Sequence, residues 1–128
     1  MTVWKLLILS LFLFPASWTG MQPRAEGQYQ VIVQEKVELS HSLSGFVAVQ
    51  GHPSPIQGVT VAVCSPDWTK TLASTTTNAT GHFSFPALQS PGLYHLRLSL
   101  SGFDPLEVRV KVSPETKHNL HLSLTVAT

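Results

Sequence analysis

The chain predicts an all-β fold, a seven-stranded antiparallel sandwich with Greek-key-like connections, and three observations carry that prediction. Three segments in the C-terminal half alternate apolar and polar residues with a period of two. Clusters of Gly, Pro, Asn and Ser separate the segments at the short spacing of strands and turns. No helical period is visible beyond the first apolar run.

The alternation is clearest where Tyr94, Leu96, Leu98 and Leu100 interleave with His95, Arg97 and Ser99. Leu106, Val108, Val110 and Val112 interleave with Glu107, Arg109 and Lys111, and Leu120, Leu122, Leu124 and Val126 with His121, Ser123 and Thr125. Successive side chains on a strand point to opposite faces, so each segment presents one apolar and one polar face. Strands that bury a single side suit antiparallel sheets packed face to face.

The N-terminus reads differently. Lys5 precedes an apolar run from Leu6 to Phe14, closed by Pro15, the layout of a secretory signal peptide over residues 1–19. A spanning helix needs about 20 apolar residues, more than this run supplies. Ser17-Trp18-Thr19 best fits the cleavage positions, although no good small-x-small triplet fixes the cut, and an uncleaved membrane anchor is the alternative. The expected location is secreted, periplasmic or at the cell surface. Residues 20–42 form a linker, within which Tyr29 to Val33 and Val37 to Leu39 either add an edge strand or lead into the domain at 43–128.

Inside that domain Leu43–Val49 is the first strand, ended by a loop with Pro53 and Pro55, which lack ladder donors. Val59, Val61 and Val63 mark the second strand, and Leu72–Thr77 is the third. Asn78-Ala79-Thr80-Gly81 supplies a turn in which Gly81 takes a positive φ. Phe83 and Phe85 share one face of a short fourth strand that Pro86 ends. Val61, Phe83, Leu96, Leu98, Val108, Val110, Leu122 and Leu124 are the expected core.

Composition excludes several functions. The chain has 8 Lys+Arg against 7 Asp+Glu, and removing Lys5 leaves seven of each, scattered singly. That balance offers nothing to nucleic acid. The single Cys cannot form an internal disulfide. Cys64 is out of register with Val59, Val61 and Val63, which places it on the outer side or at the strand end, without a base to activate it. Six His invite a metal, yet His118 and His121 at i, i+3 face opposite ways on a strand. His82 and His95, projecting from neighbouring strands, would still be two ligands without a carboxylate or thiolate beside them. No cofactor is expected, and no Gly-x-Ser-x-Gly elbow announces a serine nucleophile.

Two residues remain as candidate sites. Trp68 is the loop tryptophan of the domain. It either caps one end of the core, the reading favoured here, or joins Tyr94 and Phe103 in an aromatic platform that contacts a sugar. Asn78-Ala79-Thr80 matches the N-glycosylation sequon on an expected surface turn.

Ser44-Gly45-Phe46-Val47, Pro55-Ile56-Gln57-Gly58-Val59-Thr60-Val61 and Thr77-Asn78-Ala79-Thr80-Gly81-His82-Phe83-Ser84-Phe85, in that order, resemble the carboxypeptidase regulatory-like domain, a transthyretin-like β-sandwich of carbohydrate-binding-like fold. Gly102-Phe103 before the strand at Leu106–Val112 also fits. The family's usual acidic residue in the turn before the aromatic strand is missing. The resemblance implies an accessory module of the kind appended to secreted peptidases, outer-membrane receptors and surface proteins. It implies no peptidase activity, because the metallocarboxypeptidase catalytic domain is absent. Transthyretin-like hydroxyisourate hydrolases end in Tyr-Arg-Gly-Ser, whereas this chain ends Leu124-Thr125-Val126-Ala127-Thr128. Collagen-adhesin B-type domains need a Lys in the first strand to bond an Asn such as Asn119, and Leu43–Val49 has none.

The expectation is therefore a non-enzymatic exported module, structural or protein-binding, that meets protein through an edge strand or the outer face of Glu107, Arg109 and Lys111. A carbohydrate-binding module is the first alternative. A hydrolase-associated domain with residues assembled from distant strands is the second.

Overall fold

The computed structural model describes residues 30–128. The expected signal peptide and residues 20–29 of the linker lie outside the described residues. Nine strands are present among them: β1 (Ile32–Val33), β2 (Glu38–Ser40), β3 (Ser44–Val49), β4 (Thr60–Cys64), β5 (Thr71–Thr76), β6 (His82–Ser84), β7 (Gly92–Ser99), β8 (Leu106–Val112) and β9 (Leu120–Leu124). They form a small sheet in the order β9-β3-β6 and a large sheet in which β8-β7-β4-β5 follow one another and both β1 and β2 pair with β8. The fold is an all-β sandwich, as the alternation demands.

The seven strands read from the sequence are all present, and of the two alternatives for the segments at Tyr29 to Val33 and Val37 to Leu39 the edge-strand one holds, as two short strands, β1 and β2. One expectation changes. The sandwich is not wholly antiparallel: β9 runs parallel to β3, with Leu122 opposite Val47, and β1 and β2 run parallel to β8. Parallel neighbours need a crossover, and here the intervening chain builds it by running through the other sheet. A period of two reports which face is buried and carries no information on strand direction.

The eight expected core residues all belong to one buried cluster, joined by Leu43, Val47, Ile56, Val59, Val63, Leu106 and Leu120 among others. Burying each Val or Leu contributes about 1.5–3 kcal/mol relative to exposure. Val126, expected on that face, is instead exposed beyond the end of β9, where it bridges to Phe103.

Two glycines of the motifs are fixed by space. A Cβ on Gly45 would lie 2.5 Å from the Leu120 Cβ and 2.6 Å from its carbonyl oxygen, so β3 and β9 approach only because no side chain intervenes. Gly81 has φ +81°, and a Cβ there would sit 2.8 Å from the Val47 carbonyl oxygen. The motif Pro55–Val61 folds back on β3: Ile56 N–H donates to the Val47 carbonyl at 3.0 Å and its side chain enters the core.

Candidate functional site

The outer face of the large sheet carries the charged residues, and its chemistry is largely spent within the domain. Arg97 and Glu107 face each other across β7 and β8 and form an ion pair at 2.7 Å. The Arg97 Nη2 also donates to the Trp68 carbonyl at 3.2 Å. Arg109 donates to the Glu35 carbonyl, which ties the N-terminal segment to the same face. Of the three residues expected to offer charge, Lys111 is the one left exposed to solvent without such a contact.

Trp68 does not cap the core. It lies half-buried on this outer face, its ring edge-on to His95 at 5.2 Å between centroids and beneath the Arg97 guanidinium at 5.7 Å. The reason is the loop: Ser65-Pro66-Asp67 turns outward from the end of β4, and Trp68 takes φ 66°, which folds its ring back over the sheet. Asp67 holds that turn by accepting from the Ser65 hydroxyl at 2.6 Å, the Thr69 hydroxyl at 2.7 Å and the Thr69 N–H at 3.1 Å. Those donors stabilise the carboxylate and lower its pKa to about 2. Tyr94 donates its hydroxyl to the Ser90 carbonyl and packs against the core, and Phe103 is likewise packed there, so neither joins Trp68 in a platform.

The histidines separate. His82 projects from the small sheet and stands beside Phe46, which His121 flanks on the other side, while His95 belongs to the outer face of the large sheet. His82 and His95 are therefore on opposite sides of the sandwich and not on neighbouring strands. Among the described residues no three His, Cys, Asp or Glu side chains converge as metal ligands would. Cys64 ends β4 opposite His95, as its register implies, yet it is buried, and burial pushes its thiol up from the ordinary value. A thiol that resists ionisation is a poor nucleophile.

Asn78 sits exposed at the β5–β6 turn. Its Oδ1 accepts from the Thr80 N–H, the Thr80 hydroxyl and the His82 N–H, at 3.0, 2.9 and 3.0 Å. The oxygen is thus committed to the turn.

What sequence reasoning missed is a cleft. It opens beside β5, has a volume of about 600 Å³, and is lined by Val63, Leu72, Phe85, Leu88, Leu93 and Tyr94 together with Cys64, His95 and neighbouring proline and small residues. Both edge strands on that side of the sandwich, β5 and β6, contribute to its wall. No Asp, Glu, Lys or Arg lines it. Leu72 and Leu93 stand at its margin, 63% and 52% exposed. The available signal was faint: Leu72 and Leu93 each occupy a position where alternation asks for a polar residue.

β5 itself pairs only with β4 among the described residues. Its six residues exceed the other edge strands, β9 with five, β2 and β6 with three each and β1 with two. Edge strands are usually guarded by charge, proline or a bulge. Thr71-Leu72-Ala73-Ser74-Thr75-Thr76 carries neither charge nor proline. One irregularity, at Val63/Cys64, breaks the register near its start and leaves Ala73 to Thr76 regular.

Residues 42–125 match the carboxypeptidase regulatory-like domain, a β-sandwich domain of non-catalytic type. No curated protein matches the chain. The matched stretch opens two residues before β3 and runs through the end of β9, so it takes in the small sheet, the large sheet apart from β1 and β2, and both Gly45 and Gly81. It covers well over half of the 128 residues, and the chain belongs to the carboxypeptidase regulatory-like domain family.

Proposed function

We propose that the protein is an exported, non-catalytic accessory module whose work is to hold another protein at the β5 edge. The observation that carries this reading is the combination of a six-residue edge strand without charge or proline and a mainly apolar cleft beside it that no Asp, Glu, Lys or Arg lines. Unpaired backbone groups on an edge template a further strand. Export is supported by the signal-like run at residues 1–19. A hydrolytic role lacks support, since His82 and His95 stand on opposite faces and the Cys64 thiol is raised. The glycan reading is weakened because the Trp68 ring is engaged by His95 and Arg97.

The test places a photo-crosslinker at Leu72 on β5 and, separately, at Ser123 on β9, in the native host. One reproducible, identified partner from Leu72 and none from Ser123 supports the proposal. Crosslinks from Ser123 alone would move the site to the small sheet. Peptidase or hydroxyisourate hydrolase turnover by purified protein would overturn the non-catalytic half, and glycan-array binding lost in a folded Trp68→Ala variant would select the carbohydrate alternative.

A further inference from the structure

Asn78 holds its turn with one half of its amide and leaves the other half unused. We propose, resting on the export half of the reading above, that Asn78 is a modification site. Its Nδ2 takes an N-linked oligosaccharide from a lipid-pyrophosphate-linked donor as the chain is exported.

The partners of the amide fix its orientation. The Thr80 and His82 backbone N–H groups both point at one end of the Asn78 side chain, each at 3.0 Å. Two donors meet an oxygen there and not an NH2 group, so that end is Oδ1 and Nδ2 faces away from the turn. Nδ2 makes no hydrogen bond among the described residues. Asn78, Ala79, Thr80 and His82 are all exposed.

A turn of this kind does not call for that nitrogen. The chain builds the same arrangement at Asp67-Trp68-Thr69, where the Asp67 Oδ1 accepts from the Thr69 N–H at 3.1 Å and the Thr69 hydroxyl at 2.7 Å. A carboxylate accepts such bonds more strongly than a neutral amide does, because the acceptor carries charge. Asp at position 78 would therefore serve the turn better, and what Asn adds is an NH2 group with nothing to hold. Ala79, which is not proline, and Thr80 two residues on complete the acceptor sequon around that nitrogen. The other asparagine, Asn119, differs on both counts: Leu120-His121 follows it, and its Oδ1 accepts from the Ser42 hydroxyl.

The transfer involves no redox change. Nδ2 bonds to the anomeric carbon of the donor sugar as the C–O bond to pyrophosphate breaks. The lipid pyrophosphate leaves with the electron pair, and one Nδ2 proton passes to base. The product is still an amide with the same carbonyl oxygen, so all three turn bonds survive. Neither Asn78, Ala79 nor Thr80 lines the β5 cleft, which a glycan rooted here leaves open.

The experiment isolates the tagged full chain from its native host, separates exported from retained protein, and treats both with peptide-N-glycosidase in heavy-oxygen water. Release turns a glycosylated Asn into Asp that carries heavy oxygen, which peptide mass spectrometry locates. Label at residue 78 of most exported chains, and none at residue 119, is expected. Asn78→Asp and Thr80→Ala should abolish it, and Thr80→Ser, which keeps a hydroxyl, should retain it. Asn78→Asp also keeps the acceptor oxygen of the turn, so it should be exported at the wild-type level, which separates loss of the glycan from loss of the fold.

Exported protein unmodified at residue 78 overturns the inference and leaves export and the β5 edge standing. Sugar mass that persists on Asn78→Asp overturns it as well and moves the attachment to another side chain. A chain found only inside the cytoplasm overturns this inference together with the export on which it rests.

Discussion

Thr77 fastens the Ile56 turn to the sandwich from the inside. Its buried hydroxyl donates to the Ile56 carbonyl at 2.7 Å and accepts from the Val59 N–H at 2.9 Å. Two backbone groups of the Pro55–Val61 motif thus depend on one side chain eighteen or more residues away. Thr77→Val keeps the shape and removes both bonds, so the orphaned carbonyl and N–H should cost about 1–3 kcal/mol each before relaxation. Urea unfolding should show a lower midpoint with an unchanged slope. Thr77→Ser should recover most of the loss. A midpoint for Thr77→Val equal to wild type would show that the hydroxyl holds nothing.

Gly45 and Gly81 are the next points of sensitivity, for different reasons. At Gly45 the obstacle is the Leu120 backbone and Cβ, neither of which can swing aside. Gly45→Ala should therefore separate β3 from β9 and cost about 1–3 kcal/mol, as overpacking does. At Gly81 the positive φ adds strain of about 1–2 kcal/mol to the contact with the Val47 carbonyl. Gly58, with a positive φ but open space around it, should tolerate Ala with backbone strain alone. The ranking is checked by thermal melts of the three variants, and a Gly58→Ala variant less stable than Gly81→Ala would contradict it.

These residues also mark what the sequence could and could not tell. Alternation in the segments from Tyr94 to Val126 located three strands and their buried faces, because burial is written residue by residue along a strand. The parallel pairing of Leu122 with Val47 was not legible, since direction depends on how the chain crosses between sheets. Trp68 was misplaced for a similar reason: its position follows from a single φ of 66° in a loop, which no periodicity encodes. The cleft was hidden as well. Its wall comes from β4, β5, β7, the end of β6 and the loop after it, and only the fold brings Val63, Phe85 and Leu88 together. Leu72 and Leu93 were visible as exceptions to alternation, but an isolated apolar residue on a surface is ordinary until its neighbours are known.

Asp67 gives the Trp68 loop a dependence on acid. Its folded pKa, about 2, is depressed from 3.8 by the Ser65 and Thr69 donors. A depressed carboxylate stabilises the fold above its unfolded pKa, and that contribution is lost as pH falls from about 3.8 through about 2. The Thr69 amide, which donates to Asp67 Oδ1, should therefore titrate with an apparent pKa well below 3.8. In Asp67→Asn this transition should vanish from the Thr69 amide. A Thr69 shift centred near 3.8 in the wild type would mean that the turn does not hold the carboxylate.

Trp68 itself yields the most discriminating substitution, because its ring and its backbone pull in opposite directions. The half-buried ring contacts His95 and Arg97, so removing it costs packing, though less than the 3–5 kcal/mol typical of a fully buried Trp. The backbone, at φ 66°, is unfavourable for any residue with a Cβ by about 1–2 kcal/mol. Trp68→Ala loses the ring and keeps the strain. Trp68→Gly loses the same ring and relieves it. Glycine should therefore be the less damaging replacement by about 1 kcal/mol, the reverse of the order expected at an ordinary strand or helix position. Denaturant melts of the two variants decide the point, and an alanine variant as stable as the glycine one would mean that the loop relaxes out of the left-handed region once the ring is gone.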